Sequence, residues 1–456
     1  MRIAPPRRRR FRLSLRMMML AVVVAAIPLA RIAVRARAQR VAVRAIRDAG
    51  GGVSYDWELT PAGGYKASAK GPPGPKWLIG LLGSDYFETV ARVTLQSEEM
   101  GDDLMMHVGH LEGLRWLSIS GTKITDAGMA HIAGLYRLTQ VYLQWDTNLT
   151  GASLAYLADK HELKWLGVFT DGLRDEHMAS IAGLKNLETL LLRSGNLSDA
   201  GLAHVRGLTK LKRLMIDNSR VTSAGLEALH DLRDLQRIHL PKTIDRLTPL
   251  RGLTKLTEIS AWGAPIDDAG LEGVENLKSL TKLLLGSTRV SDAGLARLKG
   301  LNGMEVLNVA TTSITDAGLA NLAGMTRLQG LSLDRSRVTD AGLVHLRGLT
   351  SLQWLGLRET HVDGSGLDQL VELKSLSRLF LGTTPLDDAG MAKLAQLDGL
   401  IDIDLAHTLI TDAGLMQLAN IPGPLRLDLT GTRATAAGVA RLRKATKVMR
   451  VDSINN

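Results

Sequence analysis

The sequence contains no cysteine. That excludes disulfide scaffolds, thiolate zinc sites, iron–sulfur clusters and cysteine nucleophiles, and leaves the redox compartment open. Aromatic residues make up only 4% of the 456 positions. There is no G-x-S-x-G, P-loop, dinucleotide fingerprint or H-E-x-x-H pattern, so no enzyme and no cofactor are expected. His107 and His110 have a metal-like spacing, but the only acid near ligand spacing is Glu112, and no metal site is expected. Residues 1–47 lack any acid and hold thirteen of the 56 cations; the remainder carries 43 cations against 46 acids. The basicity therefore belongs to one segment, and the body lacks the positive balance of a nucleic-acid binder. At 45% hydrophobic residues, the chain is too apolar to be disordered.

The basic segment has an apolar centre. After the run Arg7–Arg10, residues Met17–Ala30 are uncharged, and Arg31 closes the stretch. Fourteen residues rise about 21 Å as a helix, short of a ~30 Å hydrocarbon core unless Arg16 and Arg31 snorkel toward the headgroups. A retained single-pass signal-anchor, a cleaved secretory signal and an ordinary buried helix all fit. The dense N-terminal cluster favours an N-terminus inside and a body on the extracytoplasmic side; cleavage would instead release the body to the periplasm or exterior. Residues 35–47 read as a basic juxtamembrane helix able to lie on anionic lipid, or as a solvated spacer.

From residue 93 onward self-similarity dominates. D-A-G followed by Leu or Met recurs at Asp126, Asp199, Asp268, Asp292, Asp316, Asp340, Asp388 and Asp412, and from Gly270 to Gly438 the glycines stand 24 apart. Each unit also carries L-x-x-L-x-L, as in Leu328-x-x-Leu331-x-Leu333. Period-two alternation predicts a short strand, and D-A-G-L-x-x-L a short helix capped by Thr or Asp. Neither element buries its apolar side alone, so the units must stack. About fifteen units are expected over 93–440. They follow a basic tail 1–16, a signal-anchor helix 17–34, the basic helix 35–47 and a front cap 48–92, and precede a C-terminal cap 441–456. Two steps are irregular: 25 residues from Leu143 to Val168, and 21 from Leu240 to Ala261.

The pattern L-x-x-L-x-L-x-x-T-x-V-T-D-A-G-L resembles leucine-rich repeats. Its D-A-G-L form is similar to the arrays of membrane-anchored leucine-rich-repeat proteins of planctomycete-type bacteria. The resemblance implies an α/β solenoid shaped as a horseshoe, with a parallel sheet on the concave face and short helices on the convex one, behind an N-terminal hydrophobic helix. In place of the asparagine ladder of many such repeats stand Thr288, Thr312, Ser336, Thr360, Thr384, Thr408 and Thr432. Their hydroxyls are expected to satisfy turning backbone groups inside the coil.

The exposed strand positions are the candidate partner-binding surface. Trp116, Tyr142, Trp165 and Phe169 come first; Arg213, Arg237 and His239 follow, with Lys282; then Trp354, Arg358, Arg378 and Phe380; finally Asp402, Asp404 and Asp428. Trp and Tyr suit binding hot spots. The front cap could instead fold over the first rings. The expected function is non-catalytic: a membrane-tethered module that binds a protein on its concave face, without nucleic acid. The alternatives are a glycan-binding module using Trp116, Tyr142, Trp165 and Trp354, and a structural envelope spacer.

Overall fold

The computed structural model describes residues 15–60, 64–67, 71–144, 148–422, 425–446 and 448–452; the expected run Arg7–Arg10 lies outside them. The chain divides into two compact units, 1–149 and 150–456.

The first unit begins with helix α1 (Leu15–Asp48), followed by strand β1 (Gly52–Tyr55), helix α2 (Lys76–Leu82), β2 (Val90–Leu95), α3 (Asp102–Gly109), β3 (Trp116–Ser120) and β4 (Gln140–Gln144). Strand β1 closes the front edge antiparallel to β2, and β2, β3 and β4 run parallel in 24-residue register, Leu95 opposite Ile119 and Ile119 opposite Leu143.

Helix α1 has two different halves. Met19, Val24, Ile27, Leu29, Ile32 and Val34 are exposed. From residue 36 the helix turns inward: Ala36, Gln39, Ala42, Val43 and Ile46 are buried, a stripe at three- and four-residue spacing. Gln39 holds the following chain by both ends of its amide, donating to the Glu88 carbonyl at 3.1 Å and accepting from the Val90 N–H at 3.1 Å. Arg35 donates to the Thr89 hydroxyl and Arg40 pairs with Asp85 at 2.6 Å. The expectation of a separate basic helix over 35–47 is therefore corrected. That segment is the C-terminal half of α1 and part of the front cap, because its small apolar stripe outweighs the arginines on its outer arc. Among the described residues no helix is long and apolar enough to cross a membrane.

The second unit carries β5 (Trp165–Phe169), β6 (Thr189–Arg193), β7 (Arg213–Met215), β8 (Arg237–His239), β9 (Glu258–Ser260), β10 (Lys282–Leu284), β11 (Val306–Asn308), β12 (Gly330–Ser332), β13 (Trp354–Gly356), β14 (Arg378–Phe380), β15 (Asp402–Asp404), β16 (Leu425–Asp428) and β17 (Val448–Asp452). Each pairs in parallel with the next. Leu283, Leu307, Leu331, Leu355 and Leu379 stand opposite one another, and Leu285, Val309 and Leu333 are fully buried beside them. In the short coil after β8 the strand keeps register, Ile238 opposite Ile259. The deficit falls on the helical side, reduced there to the turn Thr248–Leu250 with Pro249 inside it.

The recurring D-A-G has a stacking cause. In most D-A-G coils a Thr or Ser caps its own helical turn, as Ser291 does by accepting from the Ala293 N–H; Asp387 takes that place before Asp388. The aspartate that follows reaches into the next coil. Asp292 accepts the Thr315 N–H at 2.8 Å and its hydroxyl at 2.6 Å, and Asp102, Asp199, Asp268, Asp316, Asp388 and Asp412 do the same to Thr or Ser one coil on. Glycine follows because a Cβ on Gly318 would stand 2.2 Å from the Asp292 carboxylate, and one on Gly414 2.2 Å from that of Asp388. The Thr435 backbone N–H and then its hydroxyl hold the Asp412 carboxyl below the usual carboxylate range.

The hydroxyl row works within coils. Thr288, Thr312, Thr360, Thr384, Thr408 and Thr432 each donate to the carbonyl three residues earlier, at 2.5–2.9 Å. Ser336 sits in the same row, but its hydroxyl has no partner. Just before this row Ser287, Thr311, Arg335, Glu359, Thr383 and His407 take φ of 53–59°, a left-handed turn that disfavours side chains. Their N–H groups donate to carbonyls of the next coil, as Thr311 does to Asp334 at 2.6 Å.

Candidate functional site

Strand side chains alternate between the leucine core and an open face on the side away from the helical turns. In the first unit Trp116 and Tyr142 take open-face positions on β3 and β4, with Ser118 opposite Tyr142. The Arg92 guanidinium lies 3.6 Å from the Trp116 ring centre and 5.2 Å from that of Tyr65. Arg92 thus links the Trp116 ring to Tyr65 of the capping segment, and Trp116 and Tyr142 are both half-buried. Burial raises the Tyr142 hydroxyl above its ordinary value.

In the second unit Trp165 and Phe169 sit half-buried on β5. Arg213, Arg237, His239 and Lys282 come to the open face, together with an acid that inspection of the repeats did not single out. Glu258 lies 3.1 Å from Lys282, 3.5 Å from His239 and 3.8 Å from Arg237. Burial alone would push its carboxyl up; the Lys282 hydrogen bond and the charges of Lys282, His239 and Arg237 outweigh that and hold it below the carboxylate range. A lowered folded value means that this ion cluster stabilises the fold fully above the unfolded carboxylate pKa, and that the contribution is lost as pH falls through the lowered one. Glu258→Gln should therefore be less stable than wild type by about 1 kcal/mol at pH 7. The gap should narrow as pH falls below about 4.3, the value of an unperturbed glutamate, which thermal unfolding at pH 7 and in acid measures.

The acidic end is less available to a partner than its composition suggests. Asp404 is 7% exposed, is paired with Arg358 and accepts the Ala406 N–H at 2.9 Å. Asp428 accepts the Thr430 N–H and hydroxyl. Asp334, absent from the expected set, accepts the Arg358 N–H at 2.8 Å and the Ser332 hydroxyl at 3.1 Å. The Arg358 guanidinium also lies 4.4 Å from the Phe380 ring centre. Asp404 and Asp428 thus brace the strand ends, and Arg358 ties β13 to β15. Arg378 is exposed and Asp402 half-buried.

Between these charged groups lie two indoles. Trp262 is 46% exposed, and a Cβ on Gly286 would meet its ring at 2.2 Å. Trp354, opposite Gly330, lies across that glycine just as closely. Trp262 leans forward one coil and Trp354 leans back one, from rows four residues apart along the strands. Leu284, Val306 and Asn308 occupy the open face between them and are half-buried. Asn308 turns its carbonyl oxygen to the Ala310 N–H at 3.0 Å. Trp262 escaped the sequence reading because it follows the short coil and falls beyond the end of its strand. The signal that could have found it is the glycine 24 residues later. Among the described residues no cluster of His, Asp and Glu could hold a metal ion.

The row-by-row stacking of leucines behind parallel strands, with one helical turn per coil, decides the fold. The chain is a leucine-rich-repeat solenoid. An internalin from Listeria monocytogenes has a similar structure, with 21% identity and a TM-score of 0.50 over 80% of this chain and 87% of the other. A leucine-rich-repeat protein of Leptospira interrogans gives 20% identity and a TM-score of 0.56 over 76% and 86%. The likeness is one of fold. No family model matches the solenoid, and no curated protein does.

Proposed function

We propose that this leucine-rich-repeat protein is a non-catalytic, membrane-tethered protein-interaction module. Its partner sits on the open face of the second unit over Trp262, Leu284, Val306 and Trp354. The observation that supports this most is the pair of indoles laid over Gly286 and Gly330. They frame an apolar centre, with Glu258, Lys282 and Arg237 on one flank and Asp334, Arg358 and Asp404 on the other. An apolar, tryptophan-rich centre inside a charged rim is the anatomy of a protein interface. A sugar chain could stack on the two rings, but Leu284 and Val306 between them offer its hydroxyls nothing, and the Asn308 carbonyl oxygen is already turned to the Ala310 N–H. The spacer reading predicts that changing this face has no effect.

The tether is residues 17–34, retained as a single pass with the solenoid on the extracytoplasmic side. Its support is the exposed apolar side chains around the N-terminal half of α1, flanked by Arg16 and Arg31, together with the similarity of the D-A-G-L repeats to membrane-anchored planctomycete-type proteins. The test is co-purification of envelope proteins with the full chain, followed by affinity measurement. Trp262→Ala with Trp354→Ala should weaken binding at least 100-fold, at roughly 2 kcal/mol or more per hot-spot residue. Arg297→Ala on the helical side should not change it. Full-strength binding by the double variant would overturn the assignment.

A further inference from the structure

We infer that the groove between α1 and α3 in the first unit holds the phosphate headgroup of an anionic phospholipid, with its acyl chains lying along the N-terminal half of α1. The inference rests on the tether proposed above. The groove encloses about 740 Å³, and its lining includes Arg31, Ile32, Val34 and Arg35 from α1, with His110 and Glu112 from the end of α3 and beyond.

Three observations carry it. The first is charge: two guanidinium groups, of Arg31 and Arg35, line the groove against the single carboxylate of Glu112, so the groove favours an anion. Arg35 is fixed at the lip by its bond to Thr89 at 2.9 Å, and no ion pair among the described residues engages Arg31 or His110. The second is position. Arg31 is the first charge after the fourteen uncharged residues Met17–Ala30, so the groove opens where an inserted helix would leave hydrocarbon for headgroups. The third is what lies beyond. Val24 and Ile27 are exposed on α1 toward its N-terminus, and the uncharged stretch rises about 21 Å, enough to accompany an acyl chain through one leaflet of a ~30 Å core. Net positive charge at that boundary selects anionic over zwitterionic lipid.

The test is native mass spectrometry of the full chain in uncharged detergent micelles, titrated with phosphatidylglycerol, phosphatidylcholine or inorganic phosphate. Phosphatidylglycerol should be retained, phosphatidylcholine should not, and inorganic phosphate should fail to displace the lipid. Arg31→Gln should cut retention about fivefold, at roughly 1 kcal/mol per cation near the surface. Arg37→Gln with Arg44→Gln, on the other side of α1, should leave it unchanged. Equal loss in both variants, equal retention of the two lipids, or displacement by phosphate would each overturn the inference. Sedimentation of the full chain with vesicles reads the tether separately: a chain that stays in the supernatant defeats the tether, while the micelle titration still reads the groove.

Discussion

Deleting residues 1–47 should unfold the front cap, whereas deleting residues 1–34 should leave it folded. The second half of α1 supplies Ala36, Ala42, Val43 and Ile46 to the cap core, with Ile46 fully buried. Gln39 makes two buried hydrogen bonds to the chain entering β2, and removing it strands a carbonyl and an N–H at about 1–3 kcal/mol each. Ile46→Ala alone should cost about 3 kcal/mol. Hydrogen exchange across β1 and β2 reads the outcome. Strong protection in the 48–456 fragment would show that the cap does not need the helix. The same result bears on processing, since cleavage after residue 36 would sever part of this core.

The second large effect concerns the carboxylates between coils. Asp292→Ala should destabilise the second unit by about 3 kcal/mol, because it removes two charge-assisted bonds and leaves the Thr315 N–H without its acceptor. Gly318→Ala should destabilise it by about 2 kcal/mol. On an unobstructed helix that change would stabilise by about 1 kcal/mol, so the sign itself is diagnostic. The added methyl stands 2.2 Å from the Asp292 carboxylate and 3.2 Å from the Leu295 side chain, and a packed site yields to such overfilling only at a cost. Chemical denaturation of the three proteins decides it. A more stable Gly318→Ala would mean that the glycine serves no stacking purpose.

The architecture was legible because it repeats. The 24-residue spacing placed Leu285, Val309 and Leu333 in one buried row and the threonines behind it in another, and a leucine-rich-repeat fold followed. What each unit does to its neighbour was hidden. The aspartate looks like a cap for its own helix, and only the structure shows it reaching Thr315 one coil on. The left-handed turns were illegible for a related reason: Ser287, Arg335 and Glu359 carry no glycine signal, and the bond to the next coil holds the backbone there.

At the candidate site the sequence read positions better than partners. It brought Arg237, His239, Trp354, Arg358 and Asp404 to the open face, but took each as a separate charge or ring. Glu258 gathers Arg237, Lys282 and the His239 ring, and Arg358 spans two coils to Asp404, so much of the expected charge is already matched within the protein. Trp262 was lost because it stands just past the end of β9, in the coil that follows the 21-residue step. The role of residues 35–47 was masked by their arginines, because a stripe of alanine, glutamine and valine is faint beside so much charge.

The binding surface is tested most directly by photo-crosslinking in the full chain in cells. A photoreactive side chain at Leu284 or Val306, half-buried on the open face between the two indoles, should give a discrete protein adduct. The same side chain at Asn321, on the helical side, should give none. Adducts from Asn321 alone, or equally from all three positions, would contradict the assignment of the open face as the site where this protein meets its partner.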